Sequence, residues 1–134
     1  MALGSLVKTL QNIMRNDAGI NGDAQRIEQM TWLFFLKIYD AKEEEWEFHD
    51  DSYESIIPDR LRWHSWAPDA KDGNALTGDE LLDFINNDLF KTLAGLELAQ
   101  NAPLRQVVVK AAFTDANNYM KDGILLRQVI NVID

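Results

Sequence analysis

The residues that most directly suggest chemistry are two short strings in the middle of the chain. Pro58-Asp59 followed by Asp69-Ala70-Lys71 matches the pattern of metal-dependent nucleases, in which two carboxylates hold Mg²⁺ and a lysine polarises the phosphate. Such a site needs both carboxylates on adjacent strands. Asp69 to Lys71 instead stand among Pro, Asp and Gly residues without β-branched neighbours. We therefore interpret the second string as a solvated turn.

Two histidines and the glycines are the other candidates for catalysis. His49 and His64 have no Ser, Lys or second His at the spacing of a triad or zinc site, which predicts surface positions. The 7 glycines never form the G-x-G turn of a nucleotide-binding strand. No Asn-Pro-Pro-aromatic string, which would hold a flipped adenine, is present. The sequence predicts no catalytic residue, no cofactor-binding residue and no metal ligand here.

Charge is distributed unevenly along the chain. The net charge is -9, and residues 38–102 hold 5 basic against 16 acidic side chains. The carboxylates from Asp40 to Glu54 lack the alternating spacing of a calcium loop, so they predict a solvated acidic face. Lys8, Arg15 and Arg26 lie outside this acidic region and are the candidates for contacts with DNA phosphate. The alternative is that they are ordinary exposed charges on amphipathic helices.

Hydrophobic periodicity predicts the elements that must position these side chains. Apolar residues from Leu3 to Met14 recur on one stripe of a helix. Asp23 is placed to cap a second helix, from Ala24 to about Glu47, whose apolar side chains point to every side. That pattern predicts a central, buried helix. Its acidic last turns are expected to fray or to emerge into solvent.

The rest of the chain predicts further helices after an irregular connector at 48–76 that holds one short helix. Thr77-Gly78-Asp79-Glu80 has the spacing of a capping box. Pro103 favours a helix over a short strand in the residues after it, and Asp122 can cap a final helix. We predict an all-α fold: a single compact domain, 1–134, of about five to seven helices around the buried helix at about 24–47.

The composition also bears on location. No basic segment precedes an apolar core and a cleavage site, so no signal peptide is predicted. The longest apolar stretch, Met30 to Tyr39, is about half the roughly 20 residues that a membrane-spanning helix needs. Cysteine is absent, which fits a reducing compartment. A cytoplasmic location without membrane contact is expected.

Three strings together resemble a known family. The run Arg26 to Lys37, RIEQMTWLFFLK, resembles that family's long central helix. Ile57-Pro58 followed by Arg62-Trp63 resembles its Pro…Trp connector, and Leu125 to Asp134 resembles its closing helix. The family is the N-terminal helical domain of the modification (M) subunit of type I restriction-modification DNA methyltransferases.

The resemblance implies a longer parent protein, whose catalytic domain follows Asp134 and methylates adenine N6 with S-adenosylmethionine. It implies a specificity subunit, a second M subunit and a restriction subunit as partners, and double-stranded DNA within the complex. The N-terminal domain would close around that DNA and contact neighbouring subunits, without being catalytic itself. The alternative is a free-standing acidic helical module that binds another protein as a DNA mimic or inhibitor.

Overall fold

Apolar stripes at helical spacing fold most of the chain into helices. The computed structural model describes residues 3–69 and 75–134, and these ranges contain helices and no strand. The predicted all-α fold is confirmed. The elements in chain order are α1 (Leu3–Met14), α2 (Gly22–His49), a 3₁₀ turn (Asp59–Leu61), α3 (Trp63–Trp66), α4 (Gly78–Asp83), a π-helical segment (Phe84–Leu89), α5 (Phe90–Ala94), α6 (Leu104–Asp115) and α7 (Gly123–Ile133).

The central helix α2 is longer than predicted. It begins after Asn21, so the prediction that Asp23 caps it is wrong. The side chain of Gln25 accepts a hydrogen bond from the Asn21 backbone N–H at 2.7 Å, and Asp23 lies inside the first turn. A carboxylate remains favourable there because the helix N-terminus carries a partial positive charge. At its other end α2 continues to His49 without fraying earlier.

Most of the apolar residues that were predicted to bury α2 are buried or partly buried, but the helix is not covered on every side. Trp32, Leu33, Leu36 and Tyr39 are buried, and Phe34 and Phe35 are partly buried against the core. Ile38 is 59% exposed, although the sequence predicted apolar residues buried on every side. Because α2 is not covered all round, it presents an apolar surface to solvent as well as to the core.

The starts of the later helices agree with the sequence pattern. Thr77 is the residue before α4, although its side chain makes no capping hydrogen bond within the described residues. Pro103 precedes α6, so the helix interpretation of the following segment is confirmed over the strand. Asp122 caps α7, since its Oδ1 accepts from the backbone N–H groups of Ile124 and Leu125 at 2.9 and 3.1 Å.

The connector after α2 is tied to the core by two tryptophans. Trp63 and Trp66 of α3 are both buried. The indole N–H of Trp66 donates to the Leu61 carbonyl at 2.9 Å, and that of Trp63 donates to Asp134 Oδ1 at 2.8 Å. The connector is therefore irregular but held in place by buried aromatic rings and satisfied N–H groups.

The closing helix α7 completes the core by packing on α1 and α4 and more lightly on α2. Its buried side chains meet those of α1 and α4 in one apolar cluster. A buried carboxylate, Asp17, fixes the loop beyond α1 by accepting backbone N–H groups of Gly19, Lys121 and Asp122 at 2.7 to 3.1 Å. None of the helices in the described ranges is long and apolar enough to cross a membrane.

The contact between α7 and α4 predicts a strict requirement for glycine at position 123. A Cβ there would lie 1.9 Å from the carbonyl oxygen of Gly78 and 2.4 Å from its carbonyl carbon. Gly123→Ala should lower the free energy of unfolding by about 1 to 3 kcal/mol, because backbone must move to relieve the overlap. Chemical denaturation measures the change.

Gly4→Ala is the matched control for this substitution. Nothing lies within 4 Å of a Cβ at Gly4, which stands in the exposed first turn of α1. Alanine there should leave stability unchanged or raise it by about 0.5 to 1 kcal/mol, since glycine is unfavourable within helices. Equal unfolding free energies for the two variants would contradict the close α4 and α7 contact.

Candidate functional site

The densest group of charged side chains lies where α2 meets the connector. Asp40, Glu43 and Glu47 share one face of α2 because they are three and four residues apart. Arg62, just before α3, enters between them: its Nε lies 3.7 Å from Asp40 Oδ1 and 3.5 Å from Glu43 Oε1. Its Nη2 is paired with Glu47. The Arg62 side chain is only 8% exposed, so the helix and the connector are joined by a largely buried cation.

Two further side chains complete this Arg62 cluster, which comprises Asp40, Glu43, Glu47, Tyr53, Arg62 and His64. The Tyr53 hydroxyl donates to Glu43 Oε2 at 2.7 Å. His64 Nδ1 lies 2.8 and 3.0 Å from the two carboxylate oxygens of Asp40, close enough for its N–H to donate. Each buried carboxylate therefore has one partner besides Arg62, which offsets the cost of removing it from water.

The titration behaviour of the cluster follows from these contacts. Burial alone would lower the pKa of Arg62, but the hydrogen bond to Glu47 and the charges of Glu43, Glu47 and Asp40 raise it above its ordinary value. The hydrogen bond from Arg62 lowers the pKa of Glu47. Burial and the hydrogen bond to Glu43 raise the pKa of the Tyr53 hydroxyl. At neutral pH the Arg62–Glu47 pair is charged and Tyr53 is a neutral donor.

The Arg62 cluster corrects the prediction of a solvated acidic face from Asp40 to Glu54 at two positions, Asp40 and Glu43, while the other carboxylates of that stretch are exposed as predicted. Glu43 is 0% exposed and Asp40 is 6% exposed. His64 does lie at the surface, with 48% of its side chain exposed, but it is bound to Asp40. The spacing of the carboxylates on α2 was visible in the sequence. Their cation, Arg62, stands 15 residues or more away along the chain, and no local pattern identifies it.

Two members of the cluster, Asp40 and His64, together with the neighbouring Glu44 have the donor atoms of a cation site. One oxygen from each of Asp40 and Glu44 and one ring nitrogen of His64 lie within 4.8 Å of one another. The Asp40 oxygens already accept a hydrogen bond from His64 and lie near Arg62. The direct contacts among these groups describe an ion-pair and hydrogen-bond network.

The nuclease-like strings do not form a two-stranded site in the described residues. Asp59 is exposed and begins the 3₁₀ turn instead of standing in a strand. Asp69 is exposed as well, while Ala70 and Lys71 lie outside the described residues. His49, at the end of α2, is exposed as predicted.

The three candidate DNA-contact residues differ in accessibility. Lys8 is exposed on α1, and Arg15 is exposed just beyond it with Nη1 3.1 Å from Asn12 Oδ1. Arg26 is different, because it pairs with Asp23 and only 14% of its side chain is exposed. Lys8 and Arg15 can therefore reach a phosphate more readily than Arg26. Contact of any of the three with DNA remains a prediction.

These observations define an all-α domain built on one long helix, with no catalytic constellation in its described residues. The chain belongs to the family of HsdM N-terminal domains, which it matches over residues 3–133.

Similar proteins are longer than this chain. It is 52% identical over 134 residues to the type I restriction enzyme EcoEI methylase subunit of Escherichia coli, covering 100% of this chain and 27% of that protein. The crystal structure of a modification subunit from Vibrio vulnificus YJ016 superposes with a TM-score of 0.87 at 36% identity, covering 98% of this chain and 30% of that one. A chain from a structure of the type I R-M system superposes with a TM-score of 0.80 at 31% identity, and the match covers 98% of this chain and 25% of that one.

Removal of the buried cation should be costly. Arg62→Met leaves Asp40 and Glu43 buried without their cation, so the free energy of unfolding should fall by about 3 to 5 kcal/mol. Arg60→Met is the matched control, because Arg60 pairs with Asp88 at the surface with 59% of its side chain exposed. That change should cost less than about 1 kcal/mol. If urea denaturation gave similar losses of unfolding free energy for the two variants, the stabilising role of the buried Arg62 would be contradicted.

The ion pair between Arg62 and Glu47 also predicts a dependence on pH. The pKa of Glu47 is lowered from its ordinary value of 4.5 in the folded chain, so this contribution is present above pH 4.5 and is lost as pH falls through the lowered pKa. Glu47→Gln should be less stable than the parent at neutral pH, and the difference should shrink on acidification. Denaturation at a series of pH values measures this. A difference that grows toward low pH would contradict the assignment.

Proposed function

We propose that this chain is the DNA-closing and subunit-contacting N-terminal domain of a modification subunit in a type I restriction-modification enzyme. The observation that carries the proposal is the 52% identity across all 134 residues with a type I restriction enzyme methylase subunit. The family match over residues 3–133 supports the same domain assignment. The activity proposed for the whole protein is methylation of adenine N6 in DNA.

In this proposal, catalysis and the positioning of DNA belong to different domains of the protein. S-adenosylmethionine would bind in a catalytic domain that follows Asp134, while residues 1–134 form one helical domain. The sequence of this segment supports that division, because its glycines form no G-x-G turn for a nucleotide and no Asn-Pro-Pro string is present. The domain would contribute to methylation by holding DNA and neighbouring subunits in place.

Contact with DNA is proposed for Lys8, Arg15 and Arg26. The net charge of -9 opposes binding of the free domain to DNA, so association energy must come mainly from other parts of the enzyme. Once the DNA is held there, a few cations on this domain add a contact that is effectively intramolecular. The exposed positions of Lys8 and Arg15 are compatible with such a contact.

The proposed partners are a specificity subunit, a second modification subunit, a restriction subunit and double-stranded DNA. Support comes from the similar proteins, which belong to a type I restriction enzyme and a type I R-M system. A cytoplasmic location is part of the proposal, because the enzyme would have to reach DNA there.

The geometry of α2 removes one carboxylate from the acidic surface that the alternative function, a DNA mimic, would present. A mimic needs its carboxylates on the surface, whereas Glu43 is 0% exposed. Glu47 is paired with Arg62, and Glu45 Oε2 lies 3.5 Å from Lys42 Nζ. Among the described residues, Glu44 is the one member of this acidic run that is exposed without an ion-pair partner. Of the four glutamates in this run, Glu43 is therefore withdrawn into the fold, while Glu44, Glu45 and Glu47 stay exposed.

The DNA-contact proposal is tested in the assembled enzyme with Lys8→Gln, Arg15→Gln and Arg26→Gln combined. Loss of these cations should weaken DNA binding and make the dependence of log K on log salt shallower by about one unit for each phosphate contact removed. Fluorescence anisotropy with a duplex that contains the enzyme's target site, titrated at several salt concentrations, measures both quantities.

A second triple variant controls for the loss of three positive charges. This control replaces three exposed cations elsewhere on the domain by glutamine: Lys42→Gln, Arg60→Gln and Lys91→Gln combined. It should leave the salt slope within the error of the parent. If the two triple variants have the same affinity and slope, Lys8, Arg15 and Arg26 do not contact DNA. If the parent enzyme fails to methylate adenine with S-adenosylmethionine, the proposed activity itself is wrong.

A further inference from the structure

A groove of about 320 Å³ lies between α2 and α6 and belongs to neither the Arg62 cluster nor the candidate DNA contacts. Its walls combine aromatic rings from α2 with small residues from α6. Four polar side chains line it as well, and two of these are carboxylates. The lining residues are Glu28, Thr31, Trp32, Phe35, Ala112, Asp115, Ala116 and Asn117.

The apolar surface continues beyond both ends of the groove. On α2, Ile27 precedes Thr31 by four residues and Ile38 follows Phe35 by three, and they are 55% and 59% exposed. On α6, Val108 precedes Ala112 by four residues and is 42% exposed. Since residues three and four apart share a helix face, these side chains extend one apolar strip along the groove. A contiguous exposed apolar strip of this kind marks an interaction surface.

The polar groups of the groove indicate the charge of its occupant. Glu28 and Asp115 are carboxylates on opposite walls, and none of the described lining residues is basic. The indole N–H of Trp32 is buried and has no hydrogen-bond acceptor in the described part of the chain. An occupant with positive charge beside its apolar side chains would therefore be favoured, and one that also offers an acceptor to the indole would be favoured further.

Contacts near both ends of α6 hold it beside α2. Near one end of α6, Arg105 lies over the rings of Trp46 and Tyr53, 5.5 and 5.3 Å from their centroids. Near the other end, Phe113 packs edge-on against Phe35 with 6.1 Å between ring centroids. Just beyond α6, Gln29 Nε2 donates to Asn118 Oδ1 at 2.8 Å. Because α6 is attached to α2 at these points, little ordering is needed when the groove is filled.

We propose that this groove receives an amphipathic helix of a partner polypeptide in the complex, with apolar side chains facing the strip and a Lys or Arg beside Asp115 and Glu28. Two helices separated by an apolar groove are a common receptor for such a third helix. The proposal rests on the proposed function, since it takes the partner from the same enzyme complex. A two-fold contact between copies is disfavoured because it would bring the acidic rims together. DNA is disfavoured for the same electrostatic reason.

Filling the groove is the first test, made in the full-length subunit that contains this domain. Ala112→Trp places an indole in the groove and should weaken binding to the purified remaining subunits at least tenfold by isothermal titration calorimetry. Ala111→Trp is the matched control, because Ala111 is the exposed neighbour on α6 and does not line the groove. It should change the dissociation constant less than twofold. Equal effects of the two variants would overturn the proposal.

Charge reversal is the second test and does not alter the packing of the core. Asp115→Lys should weaken the same association about tenfold at low salt, and the loss should diminish as salt is added. Glu97→Lys reverses an exposed carboxylate outside the groove and should have less than a twofold effect. Melting temperatures within about 2 °C of the parent would show that both variants fold. Unchanged affinity for Asp115→Lys would overturn the charge assignment and the proposal.

A photocrosslinker identifies the occupant. Benzoylphenylalanine at Thr31 in the assembled complex should crosslink to a helical segment of another subunit that carries apolar residues next to Lys or Arg. Crosslinks to DNA, to a second copy of this domain, or to no macromolecule would each overturn the proposal. Adenine methylation by the same complex is measured in parallel, so that failure of the groove proposal is distinguished from failure of the proposed function.

Discussion

The buried guanidinium of Arg62 is the interaction on which the arrangement of the connector depends. Carboxylates three and four residues apart on α2 would repel one another without a cation between them. Arg62 supplies that cation at 8% exposure, and it precedes the two buried tryptophans of α3. Fixing the arginine therefore also fixes where Trp63 and Trp66 enter the core. The charged contact and the two buried tryptophans thus together hold an irregular segment against the longest helix.

The elements that local physics controls could be predicted from the sequence. The stripe from Leu3 to Met14 gives α1 with those bounds, and Asp122 caps α7 as its position indicates. The N-cap of α2 could not be assigned correctly because Asn21 and Asp23 are both residue types that commonly cap a helix. The glycine between them is compatible with a helix that begins after either one. The π-helical segment 84–89 had no sequence signal, since its residues have an ordinary helical pattern. Local sequence propensity therefore predicts the existence and type of a helix better than the residues at which it begins and ends.

The candidate sites were less predictable because they depend on distant contacts. The sequence alone predicts that all the carboxylates of α2 are solvated. The burial of Asp40 and Glu43 follows only from Arg62 and Tyr53, which reach them from the connector. The groove between α2 and α6 likewise joins segments more than 70 residues apart. Ile38 was expected inside because the apolar pattern of α2 surrounds the helix. The structure shows that part of this pattern is left for the surface.

The two faces of α2 consequently have opposite roles. The face that carries Asp40, Glu43 and Glu47 is closed within the chain by Arg62, so these three carboxylates are paired internally. The strip through Thr31 and Phe35 stays open because α6 is held against α2 without covering it. In the proposed function, the first of these faces stabilises the domain and the second is left for a partner in the complex.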